Sequence, residues 1–166
     1  MIAHEPPLIP VLPDAGPAEL ARAAVRDVYE ARGSNAGMAA FIAMTSWRGE
    51  FTDDYFAQPA PDPAIFGLPT EDDGTREDPL LTDLAAAIRD YHPDAAALNA
   101  ASTRIVIAVG EESRATFTGR TADGTAAFLG QEATVFPSQH GGFLDGEFGW
   151  AGQPEAFAAK LREVLG

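Results

Sequence analysis

Thr103-Arg104-Ile105-Val106-Ile107-Ala108-Val109-Gly110 decides how this chain folds. It is a short apolar run that stops at a glycine and is followed by the acidic pair Glu111 and Glu112, the pattern of a strand. Downstream, Val135-Phe136-Pro137-Ser138-Gln139-His140-Gly141-Gly142-Phe143 reads as a second strand end that runs into a glycine-flanked histidine. Between and after them the pattern is regular: strand 104–109, helix 119–129, strand 133–136, a loop, then helix 153–165. Gly124 weakens the first of these helices. The last is the clearest, with Pro154 at its start, Phe157, Leu161, Val164 and Leu165 facing inward, and Glu155, Lys160, Arg162 and Glu163 facing water. Such alternation builds a parallel sheet with right-handed crossovers, so the fold class is α/β.

Working outward to the N-terminus, Met1-Ile2-Ala3-His4-Glu5-Pro6-Pro7-Leu8 reads as the end of a short strand broken by two prolines. With a strand at the first residue, further sheet sequence is expected upstream of Met1. Helical spacing covers Pro17 to Arg32, with Leu20, Ala24 and Val28 on one face and Gly33 as the stop, and a second helix covers Asn35 to Trp47. Residues 50–78 crowd acidic side chains against the single base Arg76 and add Pro59, Pro61, Pro63 and Pro69. This is a long acidic loop, packed as a lid by Phe51, Tyr55, Phe56 and Phe66. Helical spacing returns at Pro79 to Tyr91 through Leu80, Leu81, Leu84 and Ile88, and a short helix covers Pro93 to Ala101.

Composition narrows the function classes. The 166 residues with 46% hydrophobic content suit a single domain, 1–166. A formal charge of −14 without a basic patch argues against nucleic acid or an anionic membrane as partner. The absence of cysteine excludes disulfides, thiolate metal sites and a thiol nucleophile. The chain shows neither a signal-like N-terminus nor a run of membrane-spanning length, and the expected location is cytoplasmic.

In an open parallel sheet, ligands collect beyond the carboxyl ends of the strands. Three loops leave such ends, carrying Glu5, Glu111 with Glu112, and His140. A histidine and a carboxylate converging there form a general base and its orienting partner. His4 alternates with Glu5 along the strand and is expected on the opposite face, in a packed or surface role. His92, before Pro93, reads as a helix terminus. Three histidines with no shared spacing predict no metal site, and no cofactor is implied. Ser34, Ser46, Ser102, Ser113 and Ser138 all lack the paired glycines of a Gly-x-Ser-x-Gly nucleophile turn.

Taken together, Ala3-His4-Glu5-Pro6-Pro7, Val109-Gly110-Glu111-Glu112-Ser113 and Phe136-Pro137-x-x-His140-Gly141-Gly142-Phe143 resemble the C-terminal part of an α/β-hydrolase, from the end of its sixth strand to its final helix. The resemblance implies a partial α/β-hydrolase fold of about three parallel strands, a helical cap at 14–101 and a C-terminal core at 102–166. It implies a small-molecule substrate, an ester or related bond, and His140 as the catalytic histidine. The family's usual aspartate, three residues after the glycine ending the seventh strand, is replaced here by Ser113. The acid is then Glu5, from the loop after the sixth strand, or Glu112 or Glu111 shifted into the role. Glu5, pinned between a strand and two prolines, is the better ordered. Lacking the nucleophile turn and its oxyanion donors, the chain alone is expected to be inactive. The alternative is a non-catalytic binding module, or one half of a split hydrolase. An exposed sheet edge would promote self-association and a transition of low cooperativity.

Overall fold

In the computed structural model, which describes residues 1–82, 91–146 and 150–166, three short parallel strands form one sheet in the order β1-β2-β3. These are β1, Ile2–His4; β2, Val106–Gly110; and β3, Thr134–Phe136. Their register pairs His4 with Ala108, Ala108 with Thr134, and Gly110 with Phe136. All three strands therefore end at the same edge, where Glu5, Glu111 and the loop to His140 begin. The mixed α/β class is as read from the alternation of elements.

The chain forms two compact units, Pro13–Pro93 on one hand and Met1–Leu12 with Asp94–Gly166 on the other. The first is helical. Helix α1, Ala15–Arg32, turns at Gly33 (φ 90°) directly into α2, Ser34–Ser46. Gly37 lets the two helices close, since a Cβ there would stand 2.6 Å from the Cβ of Tyr29. Helix α1 buries Ala18, Ala21, Val25 and Tyr29, whereas Leu20 is 64% exposed and Ala24 is exposed. The face expected through Leu20, Ala24 and Val28 is thus one position out of phase. In so alanine-rich a helix the spacing of the few large residues misleads, and the contact with α2 selects the small ones.

The acidic segment is more ordered than its composition suggests. It holds α3, Asp53–Phe56, and a 3-10 turn at Pro63–Phe66 capped by Asp62, whose carboxylate accepts from the Ala64 amide. Tyr55 meets Trp47, Phe51 and Phe56 edge to face, and the buried Asp14 accepts from the Phe51 amide at 2.8 Å. Arg76 makes a bidentate pair with Asp72 at 2.9 and 2.8 Å and bonds the Glu30 carbonyl. The helix expected at Pro79–Tyr91 begins as a turn, and its remainder, 83–90, lies outside the described residues.

In the sheet unit, α4, Ala95–Ala100, precedes β2; α5, Phe117–Phe128, crosses from β2 to β3; and α6, Pro154–Leu165, closes the chain. Helix α4 falls in the same compact unit as the strands. One core gathers Ile107, Val109, Ala122, Ala126 and Leu129, joining β2 to α5. A second, aromatic cluster joins Phe136 of β3 to Phe157 of α6, with ring centroids 4.9 Å apart. Leu165, expected to face inward, is 60% exposed at the chain end. Among the described residues no helix is long and apolar enough to cross a membrane.

Candidate active site

Glu5 follows the last residue of β1 and takes a left-handed backbone, φ 49°. Ser138, in the turn leading to His140, does the same at φ 68°; among the described residues these are the only non-glycines with positive φ. Such conformations persist only where surrounding contacts over-determine them, and they cluster at functional sites. Here the contacts are visible. The Glu5 amide donates to the Ala108 carbonyl at 2.9 Å, and the Ser138 carbonyl accepts from the Glu112 amide at 3.1 Å.

The two strained residues bring one carboxylate and one imidazole together. Glu5 Oε2 lies 2.8 Å from His140 Nδ1, while Glu5 Oε1 accepts from the Gly110 amide at 2.9 Å. The Glu5 side chain is fully buried, and that of His140 is 60% exposed. Hydroxyls of Thr118, in the first turn of α5, and of Ser113 also hydrogen-bond the Glu5 carboxylate. Burial pushes the Glu5 carboxyl up, but the bonds from His140, Thr118, the Gly110 amide and Ser113 outweigh it and hold it at about 2. An ionised carboxylate can only accept, so the proton in this contact sits on His140 Nδ1.

Glycine is required where this loop crosses the sheet edge. A Cβ on Gly110 would stand 2.7 Å from the Ser138 carbonyl oxygen and 3.0 Å from the backbone of Gln139. The His140 loop then closes on itself through Gly142 N–H to the Gln139 carbonyl and Gly141 N–H to the Gln139 side-chain carbonyl, both at 2.8 Å.

His4 takes the packed role expected of it, but beside this site and not away from it. Its ring packs edge-on against Phe157 (5.2 Å between centroids) and Phe136 (5.9 Å), and lies 5.9 Å from the ring of His140. Burial lowers its pKa, the Glu5 charge partly offsets this, and His140 lowers it further. Strand alternation fails because β1 ends at His4 and the left-handed turn at Glu5 swings the next side chain round. Two of the three histidines nonetheless meet at this edge of the sheet: one ligand atom from each of His4, Glu5 and His140 lies within 4.8 Å of the others.

The remaining candidates separate cleanly. Glu111 and Glu112 are exposed on the 3-10 turn after β2, and Glu112 reaches the site only through its backbone amide. Ser113, which lacks the flanking glycines of a nucleophile turn, is buried and serves Glu5. Nothing in the sequence singled out Thr118; a threonine in a helix first turn is too common a pattern to carry a role. No protein-family model, curated protein or solved structure matches the chain.

Proposed function

We propose that this chain supplies the histidine–carboxylate half of an α/β-hydrolase-type active site that cleaves an ester or related bond. The 2.8 Å contact between Glu5 Oε2 and His140 Nδ1, at the carboxyl ends of parallel strands, carries the reading. His140 Nε2 takes the proton from an attacking hydroxyl as that oxygen bonds the acyl carbon. It then returns the proton to the leaving group, and a water repeats the sequence. Glu5 keeps its negative charge throughout and stabilises the imidazolium that forms. General-base action of this kind is worth about 10²–10⁴ in rate. These 166 residues carry no Gly-x-Ser-x-Gly turn, so this reading requires a nucleophile from another source.

The test begins with nitrogen NMR of His140 at neutral pH. A proton on Nδ1 that is lost as a resolved signal in Glu5→Gln supports the proposal, and a proton resting on Nε2 overturns it. In the hydrolytically complete protein, turnover of p-nitrophenyl esters should fall by about 10²-fold or more in His140→Ala.

A further inference from the structure

We propose that His4, Glu5 and His140 form a binding site for one divalent transition-metal ion of the zinc class. Two imidazoles and a carboxylate are the donor set of a three-ligand zinc centre with an open fourth position for water. One ligand atom from each residue already lies within 4.8 Å of the others. A tetrahedral ion at about 2.0–2.2 Å from N and O donors draws its ligands to about 3.4 Å apart. The movement required falls on His140, whose side chain is 60% exposed on a loop, while Glu5 is buried and His4 sits on β1.

A second observation points the same way. His4 Nε2 is buried without a hydrogen-bond partner. The hydrolytic reading gives this imidazole nothing to do, yet leaving a buried nitrogen unsatisfied is costly. An ion would supply a partner for His4.

The ion and the proton relay exclude one another. In the free site the Nδ1 proton bridges His140 to Glu5. An ion shared between Nδ1 and the carboxylate displaces that proton, which moves to Nε2, so the nitrogen that served as base becomes a donor. Metal binding therefore silences the hydrolytic site. This consequence rests on the general-base reading of His140; the binding itself does not.

The experiment is calorimetric titration of the chain with zinc chloride in a non-chelating buffer at neutral pH, beside the His4→Gln, His140→Gln and His92→Gln variants. One equivalent should bind, with affinity reduced about tenfold or more in His4→Gln and His140→Gln and unchanged in His92→Gln. His140 is exposed, so His140→Gln retains the fold and decides the matter if His4→Gln does not. Absence of saturable binding, or affinity unchanged in His140→Gln, overturns the proposal. The readout needs no turnover, so failure of the hydrolytic reading leaves it intact, and failure here leaves that reading standing.

Discussion

Glu5 concentrates the residue-scale physics of this protein. A fully buried carboxyl would ordinarily be raised in pKa, yet four donors hold it at about 2. Its folded pKa lies below the ordinary carboxylate value near 4.5, so the unfolded chain binds the extra proton. Stability from this group is complete above the unfolded value and drains away as pH falls towards 2. The shift corresponds to roughly 3 kcal/mol, of which about 2 should be gone by pH 3. His4 adds to the acid sensitivity from a higher pH, because its lowered pKa means that the unfolded imidazole is protonated first, near 6.5. Urea unfolding at pH 7, 5 and 3 should therefore give successively lower midpoints. In Glu5→Gln the step between pH 5 and 3 should shrink. Thr118→Val, which keeps the shape and removes the hydroxyl, should raise the Glu5 pKa measured by carbon NMR, whereas Thr118→Ser should restore it.

At the scale of elements, the site depends on how closely β2 and the His140 loop approach. Gly110→Ala puts a methyl 2.7 Å from the Ser138 carbonyl oxygen, and backbone cannot yield as a flexible side chain does. Overpacking of this sort costs about 1–3 kcal/mol. The variant should melt lower and lose the His140 Nδ1 proton signal, because the loop must retreat from Glu5. In the helical unit, Arg76 plays the comparable part. It ties the acidic loop to α1 through Asp72 and the Glu30 carbonyl, with its guanidinium 5.8 Å from the Tyr29 ring centre. Arg76→Ala should leave far-UV dichroism nearly unchanged while speeding proteolytic cleavage within 71–78.

For the molecule as a whole, the sheet matters most. With the order β1-β2-β3, only β2 has strand partners on both sides among the described residues, and its Ile107, Ala108 and Val109 are buried. Native-state hydrogen exchange should find the β2 amides the slowest in the sheet unit. Val135 of β3 is 40% exposed, a large apolar residue on an outer strand. Outer strands of this kind template association. Sedimentation velocity should show a concentration-dependent coefficient, reduced in Val135→Lys; a coefficient constant with concentration would rule this association out.

The strand read at 104–109, the helices read at 17–32, 35–47 and 153–165, and the α/β alternation were legible because each depends on local periodicity and on glycine or proline at its ends. The pairing of His140 with a carboxylate was legible in outline, since both leave the same edge of a parallel sheet. Local pattern favoured Glu5, pinned between a strand and two prolines, but could not say that it is buried. Glu5 and Glu112 are equally charged in sequence, and only the packing of α5 against the end of β2 shields one and leaves the other in water. Nor could alternation place His4, since one left-handed residue after a three-residue strand redirects the next side chain. The sequence by itself determined which elements form and which of their ends carry chemistry. Tertiary structure alone decided which side chains meet there, because burial, donor count and close backbone approach belong to contacts between residues more than a hundred positions apart, such as Glu5 and His140.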